Sequence, residues 1–352
     1  MENNFLNYFK GKKVLITGHN GFKGSWISLI LNLSGAKLYG ISLKEKKNSL
    51  FYKNKLGKIF VKNIHCNINN KKKTEKYIIK INPDIIIHMA AQSIVIDGYL
   101  NPHKTFMTNV IGTLNILEAS KKVNRLKKIL ITTTDKVYDI SKNKLFNEND
   151  EIKGIDPYSA SKVCVEQLIF SYRKTYFSNL KKDSTILVAR SGNVVGGGDN
   201  SKNRIIPDIL NSIRKNNELK IRAPENIRPW QHVLEPLYGY LLLLSKKRMA
   251  NNNYIWNFGP DQKNFKKVID IVKKFSKYYK ISYKIIKNPY KETKILKLNN
   301  DKAKKELRWK PKLDLDKTIS LIVEYENLLR KGNFGFDICT KQIKEYFNIK
   351  KK

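Results

Sequence analysis

The stretch KVLITGHNGFKGSWISLILNLSG, residues 13–35, decides the fold. It opens with an apolar run of strand length, and Gly18, Gly21 and Gly24 follow with the spacing G-x-x-G-x-x-G. The apolar residues after these glycines recur at helical spacing. A strand, a glycine turn and a helix in this order favour a dinucleotide-binding turn, because glycine lets the backbone approach a pyrophosphate at the helix N-terminus. A plain tight turn is the alternative interpretation.

More strand-like runs follow, and helical segments separate them. They are KLYGISL (37–43), FVKNIH (60–65), DIIIHMAA (84–91), KILITTT (128–134), STILVARS (184–191) and YIWNFGP (254–260). This alternation predicts an α/β fold, a doubly wound parallel-sheet Rossmann domain whose ligand lies at the carboxyl edge of the strands. We assign residues 1–190 and 229–260 to that domain. Residues 191–228 and 261–352 are expected to form a smaller mixed C-terminal lobe that binds the substrate.

The charge of the chain favours anionic ligands. Its 352 residues carry 69 Lys and Arg against 30 Asp and Glu, a formal net charge of +39. Nucleic acid is one candidate partner for such an excess. The lysines are scattered through every segment, however, and this pattern indicates a compositional bias. We therefore expect no nucleic-acid partner, and an acidic small-molecule substrate remains compatible with the charge.

Cysteine usage and hydropathy indicate the compartment. Cys66, Cys164 and Cys339 are odd in number and lack paired spacing, which argues against a disulfide framework or a metal site and fits a reducing cytoplasm. The N-terminus has no apolar core of signal-peptide length, and the longest apolar stretch, LYGYLLLLS, is too short to span a membrane. The sequence thus predicts a cytoplasmic protein with no membrane partner.

The candidate catalytic residues lie between Ile129 and Lys162. The strand-like run ends in Thr132, Thr133 and Thr134, and Asp135 and Lys136 follow it directly. Further along, Tyr158 and Lys162 are four residues apart at the start of a helical pattern, so both can face one pocket. A nearby cation lowers the pKa of a phenol and makes it a usable proton acceptor. The alternative interpretation of this spacing is a solvated helix face.

Several residues at predicted strand ends are candidate cofactor ligands. Asn67 and Ile68 could lie along the adenine, and the small side chains of Ala90 and Ala91 would let a cofactor approach the strand. Asn109, in a predicted helix over 102–120, could be a polar core residue or could orient the catalytic helix.

The second strand lacks the acid that usually holds the ribose hydroxyls. Ser42 or Leu43 occupies that position and Lys44 follows it. Because a lysine could accept a 2′-phosphate, the residues leave NAD and NADP both open.

A glycine-rich loop follows the sixth predicted strand. Its four glycines lie near Asn193, Asp199 and Arg204, which suits a loop that closes on a phosphorylated ligand. Arg228, in the segment IRPWQHVLEP, is our candidate for a diphosphate, because guanidinium groups match phosphate oxygens. A surface arginine is the alternative.

Together these motifs resemble the extended short-chain dehydrogenase/reductases that act on nucleotide sugars. The likeness rests on G-x-x-G-x-x-G, HMAAQ, TTD and Y-x-x-x-K in this order. The longer blocks GHNGFKGSW (18–26), TTDKVYD (133–139), DPYSASK (156–162), RSGNVVGGGDNSKNRIIPD (190–208) and IRPWQHVLEPLYGYLLL (227–243) are similar to the 4,6-dehydratase branch that acts on CDP-glucose.

The resemblance implies a tightly held NAD and a set of site residues. It implies catalytic roles for Thr134, Asp135, Lys136, Tyr158 and Lys162. It implies cofactor contacts from Gly18, Asn20, Gly21, Phe22, Lys23, Gly24, Asn67, Ile68, Ala90, Ala91, Gln92, Asn109, Thr132, Tyr158, Lys162 and Ser191. It implies substrate contacts from Ser93, Thr134, Asn193, Arg204, Arg228 and His232.

The resemblance also implies a reaction. Tyr158 would take the proton of the sugar 4-hydroxyl while hydride leaves carbon 4, with Lys162 and Thr134 assisting. Asp135 would then protonate the departing 6-hydroxyl. Sister dehydratases place Glu after this Asp as the base for carbon 5, whereas this chain has Lys136 there. A lysine can be that base only if its amine is neutral.

Two other functions remain open. Another nucleotide-sugar 4,6-dehydratase or a 4-epimerase could use the same scaffold, although an epimerase needs no acid and base for elimination. A nucleic-acid-binding protein is the remote alternative. By resemblance, helices over 102–120 and 158–178 could pair with those of a second subunit, giving a homodimer or homotetramer.

Overall fold

The computed structural model describes residues 5–177, 185–246, 254–290 and 293–348. Ser178, the last residue of the predicted 158–178 helix, and parts of both predicted domains lie outside the described residues. Thirteen strands occur within them. They are β1 (Lys13–Thr17), β2 (Lys37–Ser42), β3 (Phe60–His65), β4 (Ile85–His88), β5 (Lys128–Thr134), β6 (Thr185–Ser191), β7 (Val194–Val195), β8 (Leu219–Ile221), β9 (Ile227–Pro229), β10 (Gln231–His232), β11 (Ile255–Phe258), β12 (Phe265–Lys267) and β13 (Tyr283–Ile285).

Thirteen α-helices lie in the same described ranges. They are α1 (Phe22–Leu33), α2 (Leu50–Lys53), α3 (Lys71–Ile81), α4 (Val95–Leu100), α5 (Pro102–Phe106), α6 (Gly112–Lys121), α7 (Pro157–Tyr172), α8 (Ile205–Lys215), α9 (Leu234–Ser245), α10 (Val268–Phe275), α11 (Asp301–Leu307), α12 (Leu315–Arg330) and α13 (Gly335–Tyr346). The predicted helix over 102–120 is α5 and α6, joined by one π-helical turn at Met107–Ile111.

The predicted doubly wound sheet is confirmed. Seven parallel strands lie in the order β11-β6-β5-β4-β1-β2-β3. Successive side chains of a strand point to opposite faces, and the strands at the centre of this sheet are apolar on both. Leu130 packs into the cluster formed with α1, α9 and α13. Its neighbours Ile129 and Ile131 pack into the cluster on the other face, formed with α3, α6 and α7.

The order of the strands places the site. Parallel strands present their carboxyl ends at one edge, and the register pairs Thr17 with His88 and Thr134 with Ser191. The glycine turn after β1 and the segments after β4, β5 and β6 therefore meet at the same edge, as open α/β sheets require of a ligand site.

A third apolar cluster lies beside that edge. It joins α8, α10 and α12 and includes Ile209, Phe275 and Ile322. The short strand pairs β8–β13 and β9–β12 lie in this part of the chain, and the sequence analysis did not identify them. The assignment of 191–228 and 261–352 to a separate lobe remains a prediction, and α13 packs on α1 of the sheet domain.

Among the described residues, no helix is long and apolar enough to cross a membrane. Cys66, Cys164 and Cys339 are free thiols, and Cys66 and Cys339 are buried.

Candidate active site

A cavity of about 610 Å³ lies at the carboxyl edge of the sheet. The glycine turn, the ends of β2 and β4, the loop after β5, the start of α7 and the loop after β6 all line it. On the other side it is lined by the segments around α8 and β8. It therefore lies where the alternation of strands and helices predicts a ligand.

Most of the predicted site residues line this one cavity. They are Gly18, Asn20, Gly21, Phe22, Lys23, Gly24, Asn67, Ile68, Ala90, Ala91, Ser93, Thr132, Thr134, Asp135, Lys136, Tyr158, Lys162, Ser191, Asn193, Arg204 and Arg228. Gln92, Asn109 and His232 do not line it.

The glycine turn has the shape of a cradle. Gly18 has φ +71°, and a Cβ there would lie 2.7 Å from the backbone nitrogen of Ala90. A Cβ on Gly24 would lie 2.2 Å from the carbonyl oxygen of Gly18. Only glycine fits such a close approach of the helix to the turn, so the structure favours the dinucleotide interpretation over a plain turn.

The end of β2 offers neutral groups to the cavity. Ser42 and Leu43 line it, and Asn20 donates a hydrogen bond to the Leu43 carbonyl at 2.6 Å. Lys44 is exposed and does not line the cavity.

Hydrogen bonds from buried side chains hold the end of β4 and the residues that follow it. His88 is buried between the hydroxyls of Thr17, at 2.6 Å, and Thr113, at 2.9 Å. Asn109 exchanges hydrogen bonds with the backbone of Gln92 and donates to Ser161 of α7 at 2.8 Å. Asn109 therefore supports the segment after β4 and orients α7, which is one of its two predicted roles.

The start of α7 is fixed by its sequence. Asp156 accepts hydrogen bonds from the backbone of Tyr158 and Ser159, and the Ser159 hydroxyl accepts one from the Asp156 backbone N–H, forming a capping box. A proline at the first helical position suits this start. Tyr158 and Lys162 then fall on the face that lines the cavity.

The predicted lowering of the Tyr158 pKa is wrong for this structure. Burial raises the pKa of Tyr158 to about 12, although a hydrogen bond with Thr134 opposes the shift. Burial also lowers the pKa of Lys162 to about 8, and Glu166 opposes that change. The Lys162 amine donates to the Thr132 carbonyl at 3.1 Å. Burial penalises a charged phenolate more than the Thr134 hydrogen bond and the charge of Arg204 favour it.

Asp135 and Lys136 face the cavity from a short turn after β5. Thr134 donates to Asp135 Oδ1 at 3.1 Å and accepts from the Lys136 backbone at 3.3 Å. Asp135 Oδ2 is buried without a hydrogen-bond partner among the described residues. Burial raises the pKa of Asp135, against the lowering effects of Lys136 and Arg228. The arrangement suits a carboxyl group that holds a proton for a ligand.

Arg204 and Arg228 supply positive charge to the lining of the cavity. Arg204 donates to Asp199 and to Ser93, both at 3.3 Å, so it joins the loop after β6 to the segment after β4. Arg228 is buried and donates to the Lys294 carbonyl at 3.3 Å. Because Arg228 is buried and lines the cavity, the alternative interpretation of a surface arginine is excluded.

The structure places His232 in the core instead of the cavity. Its ring packs edge-on against Trp26 with centroids 5.8 Å apart, and its Nδ1 accepts from the backbone of Leu234. Burial lowers the pKa of His232 to about 3, so the ring is neutral. Its neighbourhood of buried aromatic side chains explains the placement.

Sequence reasoning missed two features of the site. A Cβ on Gly192 would lie 2.9 Å from Asp135 Oδ2 and 2.5 Å from Pro229, so this glycine makes room for the carboxyl. The amine of Lys23 reaches to 3.4 Å from Ser191 Oγ. Burial, with Lys162 and Arg204 nearby, lowers the Lys23 pKa to about 7. No spacing rule connects these residues, because they meet only through the sheet.

The chain is similar to known proteins along most of its length. A family model described as GDP-mannose 4,6 dehydratase matches residues 15–322. The CDP-glucose 4,6-dehydratase of Salmonella typhimurium (strain LT2) is 37% identical, covering 97% of this chain and 98% of that protein. The UDP-glucose 4-epimerase of Mycoplasma genitalium is 26% identical, covering 88% of this chain and 94% of that protein.

The fold is also shared with solved structures. The crystal structure of dTDP-glucose 4,6-dehydratase from Bacillus anthracis str. Ames in complex with NAD superposes with a TM-score of 0.77. It is 22% identical and covers 91% of this chain and 98% of that one. At this identity the likeness shows the fold alone.

Proposed function

The chain belongs to the GDP-mannose 4,6-dehydratase family, and from this premise we propose that it converts CDP-glucose to CDP-4-keto-6-deoxyglucose. One observation carries the proposal. The pair Tyr158 and Lys162 and the pair Asp135 and Lys136 line the same cavity. One pair suits oxidation at carbon 4 and the other suits loss of water across carbons 5 and 6. The similarity to the Salmonella protein supports CDP-glucose as the substrate.

We propose NAD as the cofactor. The glycine cradle at Gly18 and Gly24 fits a pyrophosphate, because a side chain at either position would fill it. Lys44, the residue that could have accepted a 2′-phosphate, lies outside the cavity lining, which favours NAD over NADP. When bound, NAD would accept hydride from carbon 4 and return it to carbon 6. Lys162 would hold the nicotinamide ribose.

In the oxidation step, Tyr158 would take the proton of the 4-hydroxyl. Thr134 hydrogen-bonds the phenol and would share that bond with the sugar hydroxyl. Because burial raises the pKa of Tyr158 to about 12, the phenol requires added positive charge to become a base at neutral pH. Lys162 and the bound cofactor are the sources we propose.

In the elimination step, Asp135 would give a proton to the departing 6-hydroxyl. Its buried Oδ2, which has no hydrogen-bond partner among the residues that the structure describes, and its raised pKa fit a general acid. The amine of Lys136 would remove the proton on carbon 5 once the 4-ketone has acidified it. Arg228 lines the same cavity, and its charge opposes the rise in the pKa of Asp135.

The remaining wall would bind the nucleotide diphosphate. Arg228 and Arg204 supply the guanidinium groups, and Ser93 and Asn193 supply neutral polar groups. Cytidine recognition rests on the family likeness, since none of these groups selects a pyrimidine by itself.

A substrate panel tests the function. The purified protein would be incubated with CDP-, dTDP- and UDP-glucose and GDP-mannose, and the 4-keto product would be detected by its ultraviolet absorption in base. We expect product from CDP-glucose and at least a hundredfold less from the others. Formation of the 4-keto product only from another nucleotide sugar would change the substrate that we assign to the enzyme. A 4-epimer without a keto product would support the epimerase, and steeply salt-dependent DNA binding without NAD would support the nucleic-acid alternative.

We propose a cytoplasmic homo-oligomer. The free thiols of Cys66, Cys164 and Cys339 are compatible with a reducing compartment. Phe170 of α7 and Tyr176 just beyond it are exposed, which supports pairing of this helix with that of a second subunit. Sedimentation analysis would distinguish a monomer, a dimer and a tetramer.

A further inference from the structure

Five polar side chains form a buried cluster beneath the loop that carries Asp135 and Lys136. They are Thr133 of β5, Tyr138, Glu166 of α7, Arg190 of β6 and Asn257 of β11, and all five are buried. We call this set the buried polar cluster. Apart from Thr133, none of its members lines the cavity. Because the other four side chains lie outside the cavity, they have no direct role in the chemistry.

The centre of the cluster is an ion pair. Arg190 donates from Nε to Glu166 Oε1 at 2.9 Å and from its second terminal nitrogen to Oε2 at 2.5 Å. The Arg190 and Glu166 side chains are 2% and 3% exposed. Burying an ion pair costs desolvation energy that its attraction often fails to offset. Its presence here is therefore better explained by the arrangement it enforces than by stability.

The cluster bonds both ends of the reactive loop. At the first end, Thr133 donates to Glu166 Oε1 at 2.7 Å. At the second end, the Tyr138 hydroxyl accepts from Arg190 at 2.7 Å and donates to Asn257 Oδ1 at 2.7 Å. Asp135 and Lys136 lie between these two anchors.

The ring of Tyr138 is also fixed. It stacks on Phe146 with centroids 5.0 Å apart and an interplanar angle of 10°. The Arg190 guanidinium lies 4.7 Å from the centroid of the Tyr138 ring. Replacing Tyr138 by Phe would therefore remove two hydrogen bonds and keep the packing.

We propose that Tyr138, Arg190 and Glu166 are positioning residues that set the geometry of Asp135 and Lys136 for the elimination step. The inference rests on the proposed function, because it assigns the cluster to one step of that reaction. Tyr158 is held by its own helix and capping box, so oxidation at carbon 4 depends less on the second anchor. The cluster then acts on the two halves of the reaction unequally.

A single-turnover experiment with Tyr138→Phe tests the proposal. The NAD-loaded enzyme would be mixed with CDP-glucose, and the near-ultraviolet absorbance of reduced nicotinamide would be followed as it rises with oxidation and falls with hydride return. We expect the rise to change less than about twofold and the fall to slow at least tenfold, because small misplacements of catalytic groups have effects of this size. The reduced cofactor would therefore accumulate.

Two more variants complete the design. Tyr172→Phe is the matched control, since Tyr172 lies on α7 and bonds Glu118 away from the cavity, and we expect both phases to be unchanged. Thr133→Val removes the first anchor with little change of shape, and it should also slow the fall more than the rise. The Thr133→Val variant still tests the positioning role of the cluster if Tyr138→Phe fails to fold.

The outcomes separate the two proposals. An inactive wild-type enzyme on every sugar nucleotide would overturn the proposed function and the inference with it. An active wild type overturns only the inference if the folded variants match it in both phases. Equal slowing of both phases would also overturn it, since that result describes a general structural role.

Discussion

The first turns of α7 and the loop of residues 134–138 both carry side chains to which we assign catalytic roles, but they hold them differently. On α7, residues four apart are neighbours, so the helix itself places Tyr158 beside Lys162. In the loop, Asp135 and Lys136 occupy one short turn whose two ends bond to the buried polar cluster. Helical spacing sets the two residues of the first pair relative to each other, whereas tertiary contacts at both ends of the loop hold the second pair.

We therefore expect the two steps of the proposed reaction to be separable by mutation. In the proposed mechanism the helix would carry the groups for oxidation and the loop would carry those for elimination. Their protonation requirements also differ. Burial raises the pKa of both groups. This opposes the proposed role of Tyr158, which must lose its proton, and supports that of Asp135, which must keep its proton. Variants in one region should leave the other step measurable.

The largest effect is expected for Tyr158→Phe, which removes the base of the helix pair. Oxidation at carbon 4 should fall by about a thousandfold, and no reduced nicotinamide should appear on mixing with CDP-glucose. Tyr279→Phe is the control, because the Tyr279 hydroxyl bonds Asn327 away from the cavity. An active Tyr158→Phe enzyme would contradict the role of the helix pair.

Lys136→Ala should stop the reaction one step later. NAD binding and the rise of reduced nicotinamide should persist, while elimination should fall by about a hundredfold or more. The matched control is Lys153→Ala, since Lys153 is an exposed lysine near the end of the same region, 4.0 Å from Asp139. Unchanged turnover would remove Lys136 from the mechanism and end the distinction between the two pairs.

The same contrast explains what could be predicted from the sequence. The pair on α7 and the glycine turn follow rules of local spacing, and the structure places both as predicted. The raised pKa of Tyr158 could not be predicted from the sequence, because it depends on the burial of the side chain in the folded protein. The contact of Gly192 with Asp135 and the core position of His232 likewise arise from elements that meet only in the folded sheet.

Gly192→Ala should have a smaller effect, confined to the loop pair. The added Cβ would lie 2.9 Å from Asp135 Oδ2 and 2.5 Å from Pro229, so the carboxyl must move. We expect elimination to slow by about tenfold, with little change in oxidation. Gly57→Ala is the control, because its new Cβ would meet only side chains, at 3.3 Å or more. Equal slowing of both steps would show that the helix and loop are coupled.

The smallest expected effect is a few-fold dependence of the two phases on pH, with opposite signs. Tyr158 acts when deprotonated, and we propose that Lys162 and the bound cofactor bring its pKa down from about 12 toward neutrality, so the fraction of phenolate should rise a few-fold across the neutral range and oxidation should accelerate. Asp135 acts when protonated, so its contribution to elimination falls as pH rises through its raised pKa. Stopped-flow measurement of both phases should therefore show a descending limb only in the second, and Asp135→Asn should remove that limb. A descending limb that persists in Asp135→Asn would show that another group donates the proton to the departing hydroxyl. The helix and the loop would then no longer differ in the protonation state that each requires.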